Sequence, residues 1–164
     1  MKVFGLAGWS GSGKTSVLIQ LVPLLAGRGL RVSTVKHAHH GFDIDHPGKD
    51  SHRHRGAGAT EVLVASSKRW ALIHELHQAP EPSLAELLAR MTPVDLVLVE
   101  GFKRDSHPKL EIWRRSNGKP LLCPDDSHIV AVASDEPVEG LPVPRLDLND
   151  PEALARFIIG HYGL

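Results

Sequence analysis

The sequence predicts an α/β domain: a mostly parallel central sheet flanked by helices, with a β-hairpin extension. Three observations carry that prediction. Short apolar runs alternate with helical stripes along most of the 164 residues. A glycine-rich run, Gly8 to Gly13, separates the first strand-like segment from the first helix-like one. Val94–Val99 is almost continuously apolar, as a central parallel strand buried on both faces must be.

The elements follow in order. Lys2–Ala7 reads as the first strand. Lys14 to about Ala26 carries Val17, Leu18, Leu21, Val22 and Leu25 at helical spacing. Pro23 is expected to kink or shorten the last turn of that helix, because its ring excludes a bond to the Ile19 carbonyl. Gly27 and Gly29 stop it. Leu30–Lys36 is the second strand. Residues 37–58 form a long polar loop with a short helix near Asp50–Ala57. Thr60–Ala65 and Arg69–His74 are strands joined by a turn at Ser66–Lys68, and Ser83 with Glu86 is a capping box for a helix over Leu84–Met91. Leu110–Arg115 and Lys119–Cys123 flank Asn117–Gly118 and predict a second hairpin. Ile129–Ala133 is a buried strand, and Glu136–Pro144 a Pro-rich loop connecting the last strands. Asp150 and Pro151 start a final helix with Leu154, Phe157 and Ile158 on one face.

Composition narrows the classes. The length suits one domain over residues 1–164. Lys+Arg and Asp+Glu are equal at 19, so nothing global draws the chain to nucleic acid or to an anionic membrane. No apolar run reaches the roughly 18 residues that a membrane span needs. Met1–Lys2 leads straight into a strand, without a secretory pattern. A single cysteine, Cys123, suits the reducing cytoplasm and reads as a small buried hydrophobe beside Pro124. Of the 11 histidines, His37, His39, His40, His46, His52 and His54 crowd into one stretch.

Gly8-Trp9-Ser10-Gly11-Ser12-Gly13-Lys14-Thr15 matches the phosphate-loop pattern G-x-x-x-x-G-K-[ST] in full and makes the predicted fold P-loop NTPase-like. Glycines let successive N–H groups turn inward to form an anion nest. The helix that begins at Lys14 brings its positive end to the same anion. Lys14 adds a charge at the β- and γ-phosphates, the Thr15 hydroxyl can ligate Mg²⁺, and Ser16 follows in the first turn. A dinucleotide fingerprint fails on detail, because its third glycine falls on Ser16 and Lys36 ends the second strand where an acid is needed. Glu100 ends the strand Val94–Val99 at the sheet edge where such folds bind ligands, placed to hold Mg²⁺ or to position water. Asp95 falls near the opposite end of that strand and reads as structural. Lys103 follows Glu100 closely enough to approach the nucleotide. Trp9, at a variable position of the motif, is open to packing on the loop or on a partner.

The stretch from Lys36 to Arg55 allows two chemistries, beside the plainer reading of a solvated polar loop. Its imidazoles suit a transition metal. Alternatively Lys36, His37, Lys49, His52, Arg53, His54 and Arg55 surround the phosphates of a second ligand. Asp43 and Asp45 can contact Mg²⁺ or orient a nucleophile, with Asp45 preferred.

The segments GWSGSGKTS, TVKHAHHGFDIDHPGKDSHRHRGAGA, LVLVEGFK and IVAVASD together resemble the molybdopterin-guanine dinucleotide biosynthesis protein B (MobB) family, over Val3 to about Asp135. The resemblance implies a P-loop GTPase-like fold and a homodimer that binds GTP with Mg²⁺ and hydrolyses it slowly. It also implies partners: molybdopterin or its guanine dinucleotide, and the guanylyltransferase of the same pathway. Gly11, Ser12, Gly13, Lys14 and Thr15 match the phosphate loop, and Glu100 the acidic strand end. His39, His40, Asp45, Lys49, Asp50, Arg53 and Arg55 match the family stretch without a role that the match fixes. One departure concerns guanine. No N-K-x-D motif stands out, and Asp135 after Ile129–Ala133 is its possible substitute, able to accept from guanine N1–H and the amino group; a plain turn residue is the alternative. Two other functions share the loop: a small-molecule or nucleoside kinase, and a metallochaperone-type GTPase using the histidine-rich stretch.

Overall fold

A computed structural model of the chain describes residues 1–38 and 41–164. In chain order the elements are β1 (Lys2–Ala7), α1 (Lys14–Ala26), β2 (Val32–Lys36), α2 (Asp50–Gly56), β3 (Glu61–Ala65), β4 (Trp70–His74), α3 (Leu84–Ala89), β5 (Leu96–Glu100), β6 (Lys109–Trp113), β7 (Ile129–Ser134), β8 (Arg145–Asp147) and α4 (Pro151–Tyr162). A one-turn 3-10 helix, Arg115–Asn117, follows β6. They fall into two compact units: Met1–His37 with Met91–Leu164, and Ala38–Arg90.

The first unit holds a six-stranded sheet in the order β2-β5-β1-β6-β7-β8. Every adjacent pair in it is parallel. The C-terminal ends of all its strands therefore lie along one edge. The chain leaves central β1 toward β2 on one side and reaches β6 on the other, so the crevice for a ligand falls at the end of β1.

Side chains alternate across the pleat. Phe4 and Leu6, Leu96 and Leu98, Leu110 and Ile112, and Ala131 and Ala133 join Val17, Leu21 and Leu25 of α1 and Leu154, Ala155 and Ile158 of α4 in one core. A smaller cluster holds Ala7, Cys123, Ile129 and Val132, closed by Trp113, Leu121, Leu122, Leu141 and Val143. Cys123 is thus the small buried hydrophobe expected, and burial pushes its thiol up to about 11, away from nucleophilic use.

Pro23 does not shorten α1, which runs to Ala26 with the proline in its last turn. The turn ends in a Schellman-type closure: Leu30 N–H bonds the Leu25 carbonyl and Gly29 N–H that of Ala26, with Gly29 at φ +86°. That closure uses up Leu30, so β2 begins at Val32 rather than at Leu30.

The predicted hairpin over Leu110–Cys123 does not form. β6 is an interior strand, parallel to β1 and β7. Asn117–Gly118 closes the 3-10 turn instead, with Gly118 at φ +60°. Residues 119–123 are held by side chains rather than by a ladder: Trp113 Nε1–H donates to the Lys119 carbonyl at 2.9 Å, and the Glu111 carboxylate accepts from Leu122 N–H at 2.7 Å and Cys123 N–H at 2.9 Å. Glu111 is fully buried. Burial raises its pKa against the two backbone donors, which pull the other way. β8, immediately after the Pro-rich loop, is three residues paired with the edge of β7.

In the second unit β3 and β4 form the expected antiparallel hairpin, Glu61 facing His74 and Ala65 facing Trp70. The Ser66 hydroxyl organises its turn by accepting from Lys68 and Arg69 N–H, each at 3.2 Å. Ser83 and Glu86 make the predicted capping box of α3, which stops at Ala89.

Candidate functional site

The loop 8–13 joins β1 to α1 in conformations only glycine adopts without strain. Gly8 has φ +140°, and a Cβ there would stand 2.5 Å from the Ile112 carbonyl oxygen and 2.8 Å from Ser12 Oγ. Gly13, at φ +95°, is the residue from which α1 starts. The Lys14 ammonium folds back along the loop, donating to the carbonyls of Gly8 at 3.0 Å and Trp9 at 2.9 Å. Partial burial lowers its pKa below the ordinary lysine value. Lys103 and Lys36 add to that shift, and Glu100 opposes it. Ser12 is buried, its hydroxyl turned in beside Gly8, while Ser16 is exposed on the first turn of α1.

Glu100 reaches the loop because β5 lies beside β1, with Leu6 level with Glu100. Its Oε1 accepts the Thr15 hydroxyl at 2.8 Å, and its Oε2 lies 3.9 Å from Lys36 Nζ, the residue level with it on β2. A hydroxyl and a carboxylate side by side form an all-oxygen donor pair of the kind Mg²⁺ takes, so these two residues fit the predicted metal. Asp95 sits at the other end of the strand, where its carboxylate binds Arg31 through the backbone N–H at 2.8 Å and the guanidinium, which lowers its pKa. It is structural, as expected. After Glu100 the backbone turns through Gly101 at φ +101°, packed where a Cβ would meet His37 Cβ at 2.5 Å, and Phe102 stacks on the His37 ring at 4.6 Å.

The segment after β6 also closes on the loop. Arg114 Nε donates to the Ser12 carbonyl at 3.3 Å, Asn117 Nδ2 to the Ser10 carbonyl at 3.1 Å, and Trp9 Nε1–H to the Pro120 carbonyl at 2.8 Å. Trp9 therefore packs within the chain, with Lys103 Nζ 5.4 Å and Lys119 Nζ 5.9 Å from its ring centre. Asp135, just past β7, accepts from Arg114 Nη1 at its Oδ2 at 2.8 Å, and its Oδ1 is buried without a hydrogen-bond partner among the described residues. Sequence reasoning named Asp135 and Lys103 but passed over Arg114 and Asn117; the Asn-Gly pair signalled only a turn.

The other sequence candidates belong to the second unit. There Arg55 gathers carboxylates: Asp43 at 2.7 Å, Glu75 at 2.8 Å and Asp45 at 3.4 Å. Asp45 Oδ1 accepts from the Ser51 hydroxyl at 2.8 Å and His46 N–H at 3.0 Å, which hold its pKa down. Lys49 stands at the N-cap position of α2 without a side-chain cap, and Arg53 lies 3.6 Å from Asp50 on its surface. His39 and His40 lie outside the described residues. Among the described residues no three His, Cys, Asp or Glu side chains are arranged to hold a metal ion.

A parallel sheet whose first strand feeds a G-x-x-x-x-G-K-T loop into a helix, with an acid from the neighbouring strand on the threonine, defines an α/β protein of P-loop type. The chain belongs to the MobB family, described as molybdopterin guanine dinucleotide synthesis protein B, whose model matches residues 3–135. The molybdopterin-guanine dinucleotide biosynthesis adapter protein of Escherichia coli (strain K12) is 45% identical over 160 residues, covering 96% of this chain and 91% of that one. The Haemophilus influenzae protein of the same description is 42% identical, over 95% and 86%. Among solved structures, a MobB homologue from Bacillus stearothermophilus aligns with a TM-score of 0.71 at 28% identity, over 98% of this chain and 97% of that one. A molybdopterin-guanine biosynthesis protein B structure aligns with a TM-score of 0.76 at 27% identity, over 96% and 98%.

Proposed function

We propose that this chain is an adapter protein of molybdopterin guanine dinucleotide biosynthesis that binds GTP with Mg²⁺ in the Gly8–Thr15 loop and hydrolyses it slowly. The observation that carries the reading is the junction of Lys14, Thr15 and Glu100 at the mouth of that loop. Lys14 exchanges its bonds to the Gly8 and Trp9 carbonyls for the β- and γ-phosphates. Thr15 and Glu100 are the residues that hold Mg²⁺, which when bound neutralises phosphate charge. Glu100 orients a water. Asp135 selects guanine with its Oδ1, unpartnered among the described residues, while Oδ2 stays on Arg114. Lys49 and Arg53 supply cations to a second anionic ligand, molybdopterin or its dinucleotide.

In this reading the chain works in the cytoplasm beside the guanylyltransferase of the pathway, as a homodimer. Exposed Leu63, Trp70 and Leu72 of the hairpin supply apolar surface that a second copy would cover. No helix of the described residues is long and apolar enough to cross a membrane.

The test is a titration of the purified chain with GTP, ATP and molybdopterin in Mg²⁺ buffer. The proposal expects GTP to bind at least about tenfold more tightly than ATP, a preference of about 1.4 kcal/mol, and expects molybdopterin to bind as well. Equal affinity for the two nucleotides, with none for molybdopterin, would sink it.

A further inference from the structure

The segment after β6 has no role in the function described so far, yet it holds the phosphate loop from outside. We infer that Arg114 and Asn117 are positioning residues that set the direction of the loop's amides and so make the anion nest. This rests on the proposal that the Gly8–Thr15 loop takes phosphate.

A trans peptide is planar, so the C=O of one residue and the N–H of the next point to opposite sides. A nest needs the N–H groups of Gly11 and Gly13 turned to the anion, and hence the carbonyls of Ser10 and Ser12 turned away from it. Both amides belong to glycines with positive φ, +79° and +95°. Glycine crosses between backbone regions at little cost, so nothing intrinsic to these residues fixes the peptides that precede them. The fixing comes from Asn117, whose amide donates to the Ser10 carbonyl, and Arg114, whose Nε donates to that of Ser12. Each bond pins the peptide whose other end is the N–H of Gly11 or Gly13.

The two donors are themselves anchored. Asn117 closes the 3-10 turn, its N–H on the Arg114 carbonyl at 3.1 Å and Gly118 in the left-handed region behind it. Arg114 is held at its far end by Asp135 at 2.8 Å. Neither side chain has to reach the ligand: they shape the loop through its carbonyls, from the side opposite the nest.

The experiment titrates inorganic tripolyphosphate, which has no base or ribose, and GTP into wild type, Asn117→Ala, Arg114→Ala, Arg114→Lys and Lys14→Ala, and records the amide ¹H–¹⁵N signals of Gly11 and Gly13. Arg114→Lys keeps a cation beside Asp135 and covers the chance that Arg114→Ala fails to fold. The expected result is an about 5- to 30-fold loss of affinity for both ligands in the Asn117 and Arg114 variants. In the free variants the Gly11 signal should move in Asn117→Ala and the Gly13 signal in Arg114→Lys, a change that a merely structural tie would not confine to one glycine. Affinities within twofold of wild type in folded variants overturn the inference while leaving the loop a phosphate site. A loss for GTP with none for tripolyphosphate also overturns it, since these residues would then act on the base. Failure of wild type to bind either ligand refutes the phosphate reading and takes this inference with it.

Discussion

Glu111 gives the sharpest stability prediction, because a fully buried carboxylate here replaces a β-ladder. It is the acceptor for Leu122 N–H and Cys123 N–H, and it holds the segment that would otherwise float off the sheet. Replacing it with alanine strands the buried Cys123 N–H and the part-buried Leu122 N–H. A stranded buried donor costs about 1–3 kcal/mol, so the pair should cost about 2–6 kcal/mol, before any cavity. Glutamine fills the same volume and keeps one carbonyl oxygen, but its NH₂ faces a donor. Glu111→Gln should therefore cost about 1–3 kcal/mol. Urea denaturation at neutral pH measures both through the transition midpoint at unchanged slope. For a chain of this size, 1 kcal/mol corresponds to about 2–4 °C in Tm. Glu111→Ala within about 0.5 kcal/mol of wild type, or Glu111→Gln worse than Glu111→Ala, would refute the assignment of this carboxylate as the anchor of 119–123.

Two further outcomes follow from backbone and charge. Gly101→Ala combines φ +101° with a contact 2.5 Å from His37 Cβ and should destabilise by more than about 2 kcal/mol. Gly160→Ala, inside α4 with open space around it, should stabilise by about 0.5–1 kcal/mol; a scan in which both move the same way contradicts the geometry. Lys14 concerns pH. Its free-state pKa is lowered by burial, and phosphate binding needs the charged form, so above that pKa binding must take up a proton. As pH rises toward the ordinary lysine value of 10.5, affinity for GTP should fall further in wild type than in Lys14→Arg, which stays charged throughout, while loss of the guanine N1 proton weakens both alike. A wild-type profile that falls no further than that of the arginine variant rules this out.

The phosphate loop was legible because everything that makes it is local: strand, glycines, lysine and helix are consecutive in the chain. Glu100 was legible for a related reason, since an acid ending a continuous apolar run marks a strand end whatever the strand pairs with. Arg114 and Asn117 were not, because their role exists only once β6 lies beside β1. The same fact explains the false hairpin. Asn117–Gly118 is a strong local turn signal, but β6 finds its partners in β1 and β7, and Glu111 and Trp113 take over the chain that follows. β8 escaped notice because three residues amid prolines show no periodicity, and only the β7 edge makes them a strand. The division into two units was equally hidden, since the described residues of 38–90 bury little apolar surface beyond Val62 and Leu84. Asp45 and Arg55 were chosen for a ligand, and they hold each other with Asp43, Glu75 and Ser51 in the second unit.

The central claim is that the loop from Gly8 to Thr15 binds a nucleoside triphosphate through Lys14. Calorimetric titration of GTP with Mg²⁺ into wild type and Lys14→Ala, both shown to be folded, tests it most directly. A charged hydrogen bond lost from the phosphates is worth about 1.5–3 kcal/mol, so the variant should bind about 10- to 150-fold more weakly. Equal affinity in the two proteins, or no binding by wild type, would contradict the account at its root.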